Sequence, residues 1–403
     1  MLKLALRNVL RHKLRTGMTL AAIVFGVVGL ILSGGFVQDV FYKLGEALIH
    51  SQSGHLQISP AGFHAQGTRS PEKFLIDRPV SVKQTLATQP HVDDVMARIH
   101  FSGLLNNGRT DWPVVGEGVE PDKEAALGSF VRFAAGRQLA DKDTYGMVVG
   151  YGVAQALKLK PGDHVTLLAN AFEGAQNTLE LDVIGVFQSF SRDYDARAVK
   201  ISLPAAQELL GTQGANSLVV SLKKTSDTDR VGALLKQQLG PARLEVKTWV
   251  ELNDFYEKTV ALYQRQFGFL QLIVLIMVVL SVANSVNMSV FERVGEFGTM
   301  MSLGNRRGQI YRLILTESVL MGLIGSGLGV LLGVALALAI SAVGIPMPPP
   351  PNANIGYTAH IQIIPLELLV AFVVGVLATV LAVLWPASRV SRTSIVDALR
   401  SNV

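Results

Sequence analysis

GMTLAAIVFGVVGLILSGGFV, residues 17–37, runs for 21 residues without a charge. A helix needs about 20 predominantly apolar residues to cross the hydrocarbon core of a bilayer, so this stretch reads as a membrane span. The alternative is a cleaved signal peptide, whose apolar core is usually about 7–15 residues and ends at a small-residue site. No convincing Ala-x-Ala site follows here, and a retained helix is the expectation. Three more runs qualify. They are 268–290, from Gly268 to Val290; 310–343, with Glu317 as its only acid; and 364–386, ending at Trp385-Pro386.

The charges fix the orientation of these spans. The chain carries a net +5, which could suggest a nucleic-acid partner until it is divided by region. Residues 38–267 hold 24 Lys and Arg against 26 Asp and Glu, a net of −2. Residues 1–16 hold five basic residues and no acid. The 291–312 segment holds Arg293, Arg306, Arg307 and Arg312 against Glu292 and Glu296. The tail holds Arg389, Arg392 and Arg400 against Asp397, and the 344–363 loop has neither Lys nor Arg. Basic segments flanking apolar runs encode membrane topology. Both termini and the 291–309 loop are therefore expected in the cytoplasm, with 38–267 and 344–363 outside, and no nucleic acid is expected as a partner.

The fold expected is an α-helical membrane protein with four transmembrane helices and an α+β extracytoplasmic domain inserted between helices 1 and 2. Its segments are a cytoplasmic interfacial helix (1–16), span 1 (17–37), the external domain with helical stalks (38–267), span 2 (268–290) and a cytoplasmic loop (291–309). Span 3 (310–343), a Pro-rich external loop (344–363), span 4 (364–386) and a cytoplasmic tail (387–403) follow. On the first segment, Leu2, Leu6, Val9 and Leu10 share a helical face and Lys3, Arg7 and Arg11 cluster on another. The same residues also suit a plain topogenic segment. Pro346 and Pro348 through Pro351 favour polyproline II and a stiff connector.

Within 38–267, strands are expected at Leu56–Ile58, His164–Leu168, Leu179–Phe187, Ala198–Leu203 and Leu218–Leu222. A helix over 151–159 should stop at Pro161-Gly162-Asp163, and another should run from Ser226-Asp227 to Gly240-Pro241. Residues 36–50 and 249–267 read as helical extensions of the first two spans. No catalytic constellation stands out. The histidines lack metal spacing such as HExxH, and Asp93-Asp94 and Asp193/Asp195 read as solvated loop acids. Gly146, Gly150 and Gly152 mark a tight strand-to-helix turn rather than a nucleotide loop. With no cysteine, thiolate metal sites and cysteine nucleophiles are excluded.

Polar and small residues inside the spans are the candidate packing set. Gly325, Gly329 and Gly333 recur at steps of four, a ridge that lets another helix approach closely. Asn284 and Asn287, beside Ser281 and Ser285, would be costly against lipid and should face protein or water. Glu317 lies about 10 Å along its helix from Ile310 at a rise of about 1.5 Å per residue. It reads as a buried polar contact, with a carboxylate snorkelling to the interface as the alternative. No row of charges threads the spans, so a proton relay is not expected.

Residues 291–310 read Phe-Glu-Arg-Val-Gly-Glu-Phe-Gly-Thr-Met-Met-Ser-Leu-Gly-Asn-Arg-Arg-Gly-Gln-Ile. This resembles the E-R-x-x-E-I-G-x-x-(R/K)-A-L-G-A loop of the FtsX-like (MacB/LolC/LolE) permeases of ABC transporters. Glu292, Arg293, Glu296, Gly298, Leu303 and Gly304 match, while Met301 and Ser302 depart from the pattern. Leu4 through Asn8 is similar to the family's A-L-R-N-L opening. Pro386–Arg389 with Asp397–Arg400 is similar to its P-A-x-R…(D/E)-A-L-R tail, with Ile395 where proline is common. Gly150 through Asp163 is similar to a segment of the MacB-type periplasmic core domain. Gly54–Ile58 and Pro348–Tyr357 look like the lipoprotein-release branch. The resemblance covers essentially the whole chain.

The resemblance implies that the 291–309 loop is a coupling helix docked on a cytoplasmic ABC ATPase dimer. Glu292, Arg293, Glu296, Gly298, Leu303, Gly304, Arg306 and Arg307 would make up that coupling site. ATP and magnesium would bind the ATPase, since no G-x-x-x-x-G-K-[ST] loop occurs in this chain, and no cofactor is expected here. It also implies a second permease subunit, membrane lipids, and a periplasmic or lipid-anchored substrate or carrier as partners, in a bacterial inner membrane. The external domain would act as a lever by mechanotransmission, and the chain itself would not be an enzyme. Two other readings stay open: a signal relay that activates a partner such as a cell-wall hydrolase, and a membrane-anchored enzyme.

Overall fold

The computed structural model describes residues 13–67, 70–240, 243–349 and 356–391. The proposed interfacial helix up to residue 12, Pro350-Pro351 and the tail motif Asp397–Arg400 lie outside the described residues. The chain divides into two compact units, one of residues 1–42, 260–346 and 358–403, the other of 43–259 and 347–357.

The first unit is helical. Among the described residues, four helices are long and apolar enough to cross a membrane. They are α1 (Lys13–Leu48), α7 (Asp254–Glu292), α9 (Arg307–Val343) and α10 (Pro365–Ser391). All are apolar on most faces, as segments surrounded by lipid and protein must be. Their shared core takes Ile23, Val27 and Ile31 from α1, Val282 and Val286 from α7, Ile310 and Leu313 from α9, and Ala382 and Val383 from α10.

The glycine ridge of α9 sits on that α1 row. A Cβ at Gly325 would lie 2.9 Å from Ile23, at Gly329 2.8 Å from Val27, and at Gly333 2.9 Å from Ile31. The absent side chains are thus what lets the two helices close. On α10, the Thr379 hydroxyl donates to its own helix at Gly375 O, 2.8 Å away, so its polar group is satisfied without a partner helix. At the far end of α1, Asp39 is buried. It accepts from the backbone N–H of His360 at 2.7 Å and fixes the segment leading into α10.

The second unit is α+β. Ten strands form one mixed sheet among the described residues, in the order β10-β1-β9-β2-β3-β8-β5-β7-β4, with β6 joining β2 and β7. In chain order they are β1 (Leu56–Pro60), β2 (Val92–Asn106), β3 (Asp111–Val119), β4 (Arg132–Gly136), β5 (Gly146–Gly150), β6 (His164–Asn170), β7 (Gln176–Gln188), β8 (Ala198–Ser202), β9 (Ser217–Leu222) and β10 (Leu244–Thr248). The pairs β3–β8 and β5–β7 are parallel.

The 15-residue strand β2 organises this unit. Its first half, Val92–Arg98, pairs with β9. Its second half, from Ile99, pairs with β3 and then also with β6. A separate apolar core forms beside each half, one around Leu56, Ile58, Val220 and Leu235, the other around Ile99, Leu105, Val149 and Leu209. Two subdomains therefore share one strand. Helices α2 (Pro79–Ala87), α3 (Pro121–Leu127), α4 (Tyr151–Leu157), α5 (Leu203–Leu210) and α6 (Thr228–Leu239) cover the sheet.

Several local expectations need correction. Helix α4 stops before Pro161, because Lys158 already turns left-handed at φ 56°. Residues 249–267 are not one helix. Thr248 caps a short turn at Trp249–Leu252 with a reciprocal Glu251 bond, and α7 begins only at Asp254. Asp195 is not a solvated loop acid. It is 1% exposed and accepts the Ser189 N–H with both oxygens at 3.0 Å. The Pro-rich connector is framed by two short paired strands, β11 (Ile345–Met347) and β12 (Tyr357–Ala359), so Pro346 lies in a strand.

Candidate coupling site

The segment between α7 and α9 folds as a short helix, α8 (Val294–Ser302), between two sharp turns. At the first, Arg293 leaves helical geometry at φ −103° and ends α7. At the second, Gly304 takes φ 97°, a left-handed turn that costs a glycine little. The backbone N–H of Arg306 then donates to Gln309 Oε1 at 2.7 Å and starts α9.

These turns divide the eight candidate coupling residues into two groups. Glu292, Glu296, Leu303, Gly304, Arg306 and Arg307 are exposed, and Leu303 is 81% exposed. Arg293 and Gly298 are buried. Helix α8 packs Phe297 and Met301 into the bundle core. It leaves an apolar knob and a set of mixed charges on the other side.

Arg293 is the pivot of the site. Its Nη1 donates to Glu317 Oε2 at 2.7 Å, and its Nε donates to Glu296 Oε2 at 3.0 Å. Its guanidinium also lies 5.1 Å from the centre of the Phe297 ring. Arg293 and Glu317 are 6% and 7% exposed. A buried charge is tolerated only with a close partner, and each supplies the other's. The snorkelling alternative for Glu317 is therefore replaced by an ion pair inside the bundle. Sequence reading placed both residues but did not join them. The available signal was depth: an intramembrane acid needs a base, and Arg293 ends the adjacent span.

The remaining candidates behave differently from one another. Gly325, Gly329 and Gly333 pack on α1 as described. Asn284 is exposed. Asn287 is half-buried, and its Oδ1 has no hydrogen-bond partner among the described residues. Among the described residues the bundle thus leaves the Asn287 carbonyl without a partner and Asn284 at its surface. No group of His, Asp and Glu with metal-binding geometry occurs among the described residues.

Residues 16–238 match the model of the MacB-like periplasmic core domain, and residues 268–395 match that of the FtsX-like permease C-terminal region. The chain belongs to the MacB/FtsX-type family of ABC transporter permeases. Among its relatives, the lipoprotein-releasing system transmembrane protein LolE of Haemophilus influenzae is 24% identical over 93% of this chain and 91% of its own. An ABC transporter permease of Methanocaldococcus jannaschii is 25% identical over 50% of each chain. The macrolide export ATP-binding/permease protein MacB of Rhodopseudomonas palustris is 26% identical over 83% of this chain and 52% of its own. The chain thus spans about half the length of the latter two. As a MacB/FtsX-type permease it is a membrane protein, and α8 occupies the position of the loop that resembles the family's coupling segment.

Proposed function

We propose that this chain is the permease subunit of an ABC transporter, driven by a separate cytoplasmic ATPase dimer that docks on α8 and the α8–α9 turn. The observation that carries this reading is the division of the loop. Its inner side is tied into the bundle through Arg293 and Glu317, while Leu303, Arg306 and Arg307 are left exposed. A surface with an apolar knob among charges suits a protein partner. ATP and magnesium belong to that partner.

The work is done outside the membrane by mechanotransmission. Helix α1 continues without a break from Lys13 to Leu48, past the end of the helical unit, so a tilt of the bundle can reach the external domain. The substrate is a lipoprotein, a lipid or another periplasmic molecule. Similarity to LolE over nearly the whole chain supports the lipoprotein case. The Asn287 carbonyl of α7, buried without a partner among the described residues, and the exposed Asn284 support a second permease subunit facing that helix.

The test is affinity purification of the full chain from its native membrane in mild detergent. A P-loop ATPase should copurify, and Leu303→Asp should release it while the chain stays folded. Purification with a soluble cell-wall hydrolase and no ATPase would sink the transporter reading in favour of the signal relay.

A further inference from the structure

From Lys43 onward the chain belongs to the second unit, so the last turns of α1 pack there. The helix closes with a π-helical turn, Ile49–Ser53, in which the Gly54 N–H donates to Ile49 O at 2.9 Å. Single π turns often mark functional sites. Gly54 at φ 65° then turns the chain towards β1. A Cβ there would lie 2.3 Å from Val219, so the turn suits glycine. Side chains of the external unit hold this turn. Arg98 Nη1 donates to Gln52 O, and Gln57 Nε2 donates to Ser53 O at 2.9 Å. Neither contact changes near neutral pH, since an arginine stays charged and an amide does not titrate. A third contact, made by His50, does change.

His50 stands between two acceptors. Its Nδ1 lies 3.0 Å from Leu127 O at the end of α3, and its Nε2 lies 3.3 Å from Glu46 Oε2, one turn earlier on α1. A carbonyl and a carboxylate can only accept. A neutral imidazole carries one N–H, so it satisfies one of them and turns a lone pair on the other. Both are satisfied when the ring carries two protons. The neighbours set the same direction. The Leu222 N–H donates to His55 Nδ1 at 3.1 Å, which leaves the His55 proton on Nε2, 3.2 Å from the Thr225 hydroxyl. Thr225 donates in turn to Glu46 Oε1 at 2.6 Å. Glu46 thus accepts on both oxygens. With His50 as an imidazolium, the bonds run unbroken from Leu222 through His55, Thr225, Glu46 and His50 to Leu127.

The groups facing the ring agree. Glu46 is the carboxylate beside it, on α1 itself. Helix α3 presents a main-chain carbonyl, and Phe130 just beyond it a stacked ring, 6.2 Å between centres. Ahead of β1, the His55 ring meets His50 edge-on at 5.7 Å. Burial holds His55 down to about 4, so it adds no charge at neutral pH, and Asp93 of β2 contributes a carboxylate on the His55 side. The Glu46 hydrogen bond accordingly raises the His50 imidazole above 6.5, against its burial. The His50 and Glu46 side chains are 23% and 15% exposed, so the ring exchanges its proton with water. A group whose folded pKa is raised contributes stability that is complete below 6.5 and is lost as pH rises through the folded value.

We propose that His50 is a proton-operated clasp, whose imidazolium ties the end of α1 to α3 and whose deprotonation as pH rises releases one of its two bonds. Where α1 acts as the lever proposed above, this proton sets how firmly the lever's end is held. The test is NMR of the full chain in nanodiscs with 13C-labelled histidine, His50→Gln identifying the His50 signal. His50 should titrate above 6.5. Glu46→Gln should lower its pKa by about one unit or more, a tenfold loss of proton affinity. Hydrogen exchange, corrected for the intrinsic rate at each pH, gives a second readout. Protection of residues 49–54 should fall roughly fivefold across the titration, the loss of about one hydrogen bond. In His50→Gln it should not vary over the same range. A His50 pKa at or below 6.5, a pKa unmoved by Glu46→Gln, or equal protection on both sides of the titration would each overturn the clasp. Both readouts report on this junction alone, so their failure leaves the transporter reading standing.

Discussion

Arg293 at the end of α7 and Glu317 on α9 form a 2.7 Å ion pair sealed within the helical bundle. The pair links α8 to α9 across 24 positions of sequence. Movement of α8 relative to α9 must either carry this pair along or break it. Breaking it strands two charges in a low-dielectric interior, which is costly. Small displacements of α8 are thereby passed to α9 rather than absorbed in the turn.

The pair's contribution can be separated from its mere presence. Glu317→Gln leaves Arg293 with only the exposed Glu296 as a carboxylate partner, and should destabilise the chain by about 3 kcal/mol. The double substitution Arg293→Met, Glu317→Leu removes both charges and should recover most of that loss. If the pair transmits force, the double variant should be stable yet stimulate a copurified ATPase poorly. Thermal unfolding and ATPase assays on the two variants provide the check. Equal stability of the single variant and the parent would show that the pair is not energetically coupled.

The glycine ridge makes a positional prediction. Gly329→Ala places a methyl 2.8 Å from Val27, and the overpacking should cost about 1–3 kcal/mol. Gly327, on the same helix, has nothing within 4 Å of its Cβ position. Gly327→Ala should be neutral or slightly stabilising, because alanine favours helix by up to about 1 kcal/mol. Melting temperatures in one detergent compare the two directly. Equal effects would mean that α1 and α9 are not packed as described.

His55 should make the external domain sensitive to mild acid. It is 2% exposed. Its Nδ1 accepts the Leu222 N–H at 3.1 Å, and its Nε2 lies 3.2 Å from the Thr225 hydroxyl. Burial pushes its pKa from 6.5 down to about 4. Above pH 6.5 the ring is neutral in both folded and unfolded chains, and adds no pH dependence. Between 6.5 and 4 the unfolded chain takes up a proton that the folded chain refuses, so stability falls as pH drops. His55→Gln should flatten this part of the Tm–pH curve while losing about 1 kcal/mol above it. An unchanged slope would place the sensitivity elsewhere.

Legibility followed the range of the interactions involved. The spans were readable because length and an unbroken apolar run are local properties. The strands at 164–170, 176–188, 198–202 and 217–222 were readable because each is a short apolar or alternating segment. Strand β2 was not. Asp93-Asp94 opens it and Arg98 interrupts its alternation, and only the tertiary fold supplies Glu124 to bury that arginine. Asp195 looked solvated for a different reason: the Ser189 N–H that it accepts is only six residues away, but the conformation of the loop itself brings the two together. At the candidate coupling site, the motif pointed to the residues of one loop. It could not tell the exposed Arg306 and Arg307 from the buried Arg293, because that division depends on where α8 turns.

That division gives the last prediction. Arg306 and Arg307 are exposed and Leu303 is 81% exposed, so substitutions there have little to disturb within the chain. Arg306→Glu with Arg307→Glu should leave Tm within about 0.5 kcal/mol equivalent of the parent. If the turn docks on an acidic or mixed surface of an ATPase, the reversal should slow association and raise its salt sensitivity, since rim charges act mainly on the on-rate. Leu303→Asp should instead speed dissociation, because an apolar anchor acts mainly through the off-rate. Surface plasmon resonance with the copurified ATPase resolves the two effects. A loss of stability in either variant would mean that the exposed face of the α8–α9 turn has a structural role within the chain, and the docking assignment would fall with it.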